Sequence, residues 1–128
     1  GWLGLSLADG PGDLMQALLE GIALRSAEVI AAMEALLPFQ GAISVDGGLS
    51  RNGYFTGFLA EVTPHDLFLP SETEQTALGL ARMAAEAAGV AVPDSRPGRR
   101  LAAQATGAAP RLARFAAARA AIEGYAAR

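Results

Sequence analysis

At 128 residues the chain is long enough for one hydrophobic core, and its formal net charge of −3 offers no electrostatic footprint for nucleic acid. The absence of cysteine excludes disulfides, thiolate metal sites and cysteine nucleophiles, and a single histidine, His65, excludes multi-histidine metal centres. Every basic residue is an arginine, so the lysine that a P-loop requires is missing along with its spacing.

Residues 1–12 read as a loop, with Asp9-Gly10-Pro11-Gly12 as a turn cluster. Asp13 then has the character of a helix N-cap, with Gln16 at the capping-box position. Leu14, Leu18, Ile22, Ile30, Met33 and Leu37 keep helical spacing until Pro38 stops the run. Leu19, Ala23, Leu24 and Ala27 widen that apolar surface beyond one stripe, which predicts a helix packed on two sides. A short strand is expected over residues 42–46, closed by Gly47-Gly48. Ser50 can cap the next helix, whose i, i+3, i+4 face is Tyr54, Phe55, Phe58, Leu59 and Val62. Leu67-Phe68-Leu69 is a second strand stopped by Pro70. Ser71 with Glu74 suggests a capping box for a third helix, with Ala77, Leu78, Ala81, Ala84, Ala85 and Ala88 leading to Gly89. Strand, helix, strand at this spacing is a βαβ unit, expected to be parallel and right-handed.

Residues 13–89 therefore form an α/β core, and residues 90–109, with Pro93, Pro97-Gly98 and Gly107, read as a connector. Within it, Arg96, Arg99 and Arg100 read as a solvated loop. Residues 110–128 read as a terminal helix with Leu112, Phe115, Ile122 and Tyr125 on one face and Arg111, Arg114 and Arg119 mostly outward. The order is α-β-α-β-α plus a C-terminal helix. Two parallel strands cover their edges poorly, so further strands are expected outside this chain. No apolar run approaches the ~20 residues of a membrane span. No signal-peptide pattern is present and the chain opens on Gly1, which together predict a cytoplasmic piece of something longer.

In open α/β sheets ligands collect beyond the carboxyl ends of the strands, where Gly47 and Gly48 fall. One reading makes the pair a platform for a purine or ribose, with Asn52 one turn on as a hydrogen-bonding side chain. The other is a tight turn that needs positive φ, with Asn52 exposed, and spacing alone favours it. The pattern is not the dinucleotide G-x-G-x-x-G. Asp46 could touch a ribose or metal-bound water, but turn capping or an arginine partner is the plainer role. Arg51 could meet phosphate or lie on an exposed face. Glu20, Arg25 and Glu28 interrupt an apolar helix for reasons of packing, and His65 reads as a surface turn residue. No pair forms an acid–base or nucleophile–base set, so no catalytic residue and no metal ligand is assigned.

Three blocks, in order, resemble the C-terminal domain of the FGGY carbohydrate kinases, the group that includes glycerol and xylulose kinases. Ala17-Leu18-Leu19-Glu20-Gly21-Ile22-Ala23 resembles the family's A-x-L-E-G-I-A helix. Residues 45–52, Val-Asp-Gly-Gly-Leu-Ser-Arg-Asn, resemble its D-G-G-x-x-x-N adenosine motif, continued by Phe58-Leu59-Ala60-Glu61-Val62. Residues 74–81, Glu-Gln-Thr-Ala-Leu-Gly-Leu-Ala, resemble its E-x-T-A-L-G-A-A helix. Gly53 and the Thr63-Pro64-His65-Asp66 turn depart from the family pattern.

The resemblance implies the later part of a ribonuclease H-like, actin-like ATPase domain. It implies nucleotide contacts at Gly48 and Asn52, with Gly47 shaping the turn. It also implies ATP and Mg2+ as cofactors, a small sugar or polyol bound mainly by parts outside this chain, and γ-phosphoryl transfer aided by an aspartate from elsewhere. It leaves room for a homo-oligomer and gives no role to nucleic acid or membrane. A non-catalytic nucleotide-sensing or interaction module of the same fold is the rival reading. A purely helical scaffold is a third, and pairing of residues 43–45 with 67–69 in one sheet would exclude it.

Overall fold

The first helix, α1, runs Pro11–Leu36. A computed structural model describes residues 2–72, 74–92, 97–104 and 107–126. Pro11 occupies the first turn of α1, where its missing N–H is no loss. The cap is Gly10, not Asp13: the Asp13 carboxylate sits inside the first turn and accepts from the Gly10 N–H at 2.9 Å. At the other end Leu37 is extended, as the residue before a proline must be.

Strand β1 is Ile43–Ser44, shorter than expected, and leads through Gly47 into a 3-10 turn, Gly48–Arg51, and helix α2, Gly53–Val62. Strand β2 is Leu67–Leu69, and helix α3 is Gln75–Ala87. The capping box at Ser71 does not form. Glu74 precedes the first helical residue and makes no side-chain cap bond. The far end of α3 closes as expected, with Gly89 at φ 67 and bonds from Gly89 N to Glu86 O and Val90 N to Ala85 O.

The stretch read as a connector contains a third strand, β3, Arg99–Leu101, followed by helix α4, Ala108–Ala126. The sheet order is β1-β2-β3. Ile43 pairs with Leu67 and Ser44 with Phe68 in parallel register, which excludes the helical-scaffold reading. β3 runs antiparallel to β2, with Leu67 opposite Leu101 and Leu69 opposite Arg99. The reason the strand escapes a pattern reading is visible in Gly98. A Cβ there would lie 2.4 Å from the Leu69 carbonyl oxygen and 2.6 Å from the Phe68 ring, so a residue that looks like a breaker is what lets β3 approach β2. Of the arginine cluster, Arg99 and Arg100 belong to this strand and Arg100 pairs with Asp66 at 3.0 Å; Arg96 lies outside the described residues.

The core is built from Ala23, Leu24 and Ala27 of α1, Phe55, Phe58, Leu59, Ala60 and Val62 of α2, and Leu67. Leu18, Ile22 and Met33, expected to be core, are 47%, 37% and 53% exposed. The buried side of α1 is the alanine side, because a side chain of one carbon lets α2 come close. Leu112 and Phe115 of α4 pack against the same core. Tyr125 is 83% exposed, and no residue of α3 is buried, with Leu80 and Met83 about as exposed as surface residues at 69% and 70%. Arg111 of α4 is exposed, as expected, whereas Arg119 is half-buried, and both reach across to another helix. The first reaches Glu61 of α2 at 3.2 Å, the second Glu28 of α1 at 3.1 Å. No helix among the described residues is long and apolar enough to cross a membrane.

Candidate functional site

The chain turns sharply beyond β1. Gly47 has φ 82 and ψ −176, a combination that essentially only glycine adopts. Its carbonyl accepts from the Ser50 N–H at 3.2 Å and from the Ser50 hydroxyl at 2.7 Å. Ser50 therefore closes the 3-10 turn and does not cap α2. The cap is Asn52, whose Oδ1 accepts from Phe55 N at 3.0 Å while its carbonyl takes Thr56 N at 3.0 Å. The side-chain oxygen of Asn52 thus uses one of its two lone pairs to hold the helix start, and the amide nitrogen is a donor besides.

Gly48 differs from its neighbour. It is the first residue of the 3-10 turn, its φ lies outside the left-handed region, and a Cβ built on it meets no atom within 4 Å. The turn accounts for glycine at 47; among the described residues no contact and no positive φ accounts for glycine at 48, as is also the case for Gly12, Gly53, Gly57, Gly79 and Gly124 within helices. Gly47, Gly48 and Asn52 stand together on one connected turn at the carboxyl end of β1, as the spacing predicts. Ser50 and Arg51 border an open cavity of about 580 Å³, also lined by Leu69 at the end of β2, Pro70 and Ser71 after it, and Arg99 of β3. Arg51 and Arg99, both exposed, are among its lining residues.

Several residues take roles that the sequence did not reveal. Asp46 is exposed and makes no hydrogen bond or ion pair among the described residues. His65 is not a surface residue: its side chain is 13% exposed, Nε2 lies 3.0 Å from Glu34 Oε2, and the ring meets Phe39 edge-on at 5.5 Å. Glu20 accepts from Gln16 Nε2 at 2.8 Å and from the Tyr54 hydroxyl. The Glu20 carboxylate, helped by partial desolvation, pushes the Tyr54 phenol above its ordinary value. Glu28 sits between Arg25 at 2.8 Å and Arg119 at 3.1 Å; the Arg25 hydrogen bond, then that of Arg119, outweighs desolvation and holds its carboxyl below the usual range. These partners come from residues up to 91 apart in the chain, which is why no local pattern announces them. Among the described residues no group of three or more His, Cys, Asp or Glu converges.

The sequence pattern of the FGGY family of carbohydrate kinases, C-terminal domain, matches residues 1–88. The chain belongs to this family. Among FGGY relatives, the glycerol kinase of Alteromonas mediterranea is 36% identical over 88 residues, covering 69% of this chain and 18% of that protein. The glycerol kinase of Burkholderia multivorans is 43% identical over 77 residues, covering 59% of this chain and 15% of that protein. The chain thus spans less than a fifth of the glycerol kinases it matches. The crystal structure of xylulose kinase from Rhodospirillum rubrum superposes on the whole chain and on 28% of its own, with a TM-score of 0.79 and 24% identity. The fold is accordingly that of the matching part of this xylulose kinase, a mixed α/β, actin-like fold. That superposition includes β3 and α4, which lie beyond the residues of the FGGY match.

Proposed function

We propose that this chain forms the adenosine-binding portion of an ATP-dependent carbohydrate or polyol kinase, with the glycine turn as the nucleotide platform. The observation that carries this reading is the contrast between the two glycines: Gly47 is needed by the backbone, whereas Gly48 leaves an open backbone surface that the fold itself does not use. Family membership and the named glycerol kinase relatives support the reaction class. A base or ribose lies against Gly48, the Asn52 amide donates to it, and Arg51 stands at the phosphate side. The adjoining cavity has the size of ordinary small-molecule sites. Phosphoryl transfer depends on positioning and charge stabilisation, and the residues described here contribute the positioning. The aspartate base and the phosphate loops come from parts of the protein outside this chain, and Mg2+ arrives with the ATP phosphates rather than on a carboxylate cage of this chain.

The test is ATP turnover by the full-length protein against a panel of polyols and pentoses, glycerol and xylulose included. Acceptor-dependent ADP release is the expected result. Nucleotide binding without any acceptor-dependent turnover would favour the non-catalytic sensing module instead, and absence of nucleotide binding would overturn both.

A further inference from the structure

Helix α2 carries Asn52 at its cap and the glycine turn immediately before it, so the orientation of its first turn sets the geometry of both. One side of that turn is fixed by Phe55, which is buried in the core. The other is held from α1. The Tyr54 hydroxyl donates to Glu20 Oε1, across 34 residues of chain, and Gln16 one turn earlier donates to the same oxygen at 2.8 Å. The Tyr54 ring lies nearly parallel to Phe58, with centroids 6.3 Å apart and planes 12° from each other. Phe58 is in turn covered by the Arg111 guanidinium at 5.3 Å, whose Nη1 reaches Glu61 at 3.2 Å. Both ends of the Tyr54 side chain are therefore restrained. The 3-10 turn itself buries no residue.

We infer that Tyr54 and Glu20 are a positioning pair for the nucleotide: Glu20 on α1 holds the first turn of α2 through the Tyr54 hydroxyl, and so keeps Asn52 and Gly48 in place for the base. This rests on the nucleotide reading of the glycine turn. Neither residue touches the ligand. Losing the hydroxyl leaves the ring on Phe58 and the core intact, but frees the helix start to rotate away from α1.

The experiment is titration of ADP into the full-length protein by calorimetry, with a thermal melt for each variant. Tyr54→Phe removes one oxygen atom and is expected to weaken ADP binding roughly three- to tenfold while the melting temperature stays near wild type. Glu20→Ala should weaken binding by the same factor, and adding it to Tyr54→Phe should bring little further loss. Glu20→Gln keeps an oxygen that accepts from the phenol, so it should restore binding to near the wild-type level. Gly48→Val serves as the reference for the site. If Gly48→Val weakens ADP binding and Tyr54→Phe does not, the positioning role fails and the nucleotide site stands. If the wild type does not bind ADP, the nucleotide reading fails and the positioning pair with it. A fall in melting temperature with unchanged affinity would also overturn the pair, since that is what a purely structural contact gives.

Discussion

Substituting the two glycines one at a time separates what the fold needs from what a ligand needs. At Gly47 the backbone sits at φ 82, ψ −176, so Gly47→Ala forces an L-residue into a region that costs about 1–3 kcal/mol, and the protein should melt several degrees lower. At Gly48 a Cβ meets nothing within 4 Å and the φ is ordinary. Gly48→Ala should therefore leave stability unchanged or raise it by about 0.4–1 kcal/mol, through the unfolded state. A purine or ribose in van der Waals contact with that Cα would be displaced by the new methyl. Overpacking of this kind costs about 1–3 kcal/mol, which corresponds to a rise of roughly five- to 150-fold in the KM for ATP. Gly48→Val, with two further methyl groups, should sit at the upper end. The KM for the sugar or polyol should move far less, because the proposed function puts that substrate against other parts of the protein. The assay is steady-state kinetics with ATP and acceptor varied separately, beside a thermal melt. A well-folded Gly48→Ala and Gly48→Val pair with unchanged KM for ATP would refute the placement of the nucleotide on that glycine.

Asn52→Asp keeps an oxygen to accept from Phe55 N but loses the amide donor, so the melting temperature should hold while the KM for ATP rises; Asn52→Ala should also remove the cap, at about 0.5–2 kcal/mol in denaturant unfolding. Gly98→Ala places a methyl 2.4 Å from the Leu69 carbonyl oxygen, which backbone cannot yield to cheaply, so β3 should part from β2 and hydrogen exchange at residues 99–101 should accelerate. Glu28, held below its ordinary value of 4.5 by Arg25 and Arg119, contributes stability that is full above that value and is lost as pH falls through its folded pKa. Glu28→Gln should accordingly flatten the fall in melting temperature below about pH 4.5, and an unchanged acid profile would remove the arginine pair from the account.

Local chemistry carried the element order for residues 11–89. The proline after Leu37, the glycine at 89 and the alternation of apolar runs place three helices and two strands, and the parallel pairing of Ile43 with Leu67 follows from one helix lying between the strands. Helix starts were the weaker part. Asp13, Ser50 and Ser71 all have capping chemistry, yet the caps are Gly10, Asn52 and Glu74; a short polar side chain bonds whichever nearby backbone group is within reach, the Gly10 N–H for Asp13 and the Gly47 carbonyl for Ser50. The glycine turn and Asn52 were visible as a motif; that Asn52 caps α2 was not.

What the sequence determined by itself is the family and the glycine turn, since both depend on residues adjacent in the chain and on backbone conformations that only glycine allows. The tertiary structure decided the rest. Periodicity marks every apolar residue of α1 alike, and only the approach of α2 makes Ala23 and Ala27 core while leaving Leu18 and Met33 exposed. β3 exists because Gly98 lets one strand lie against another 30 residues away, and a pattern reading sees there a turn. Likewise the ion pairs of Arg111 and Arg119, and the hold of Glu20 on Tyr54, join residues from separate helices. A charge carries no mark of its partner in the chain; the packing of the helices selects it.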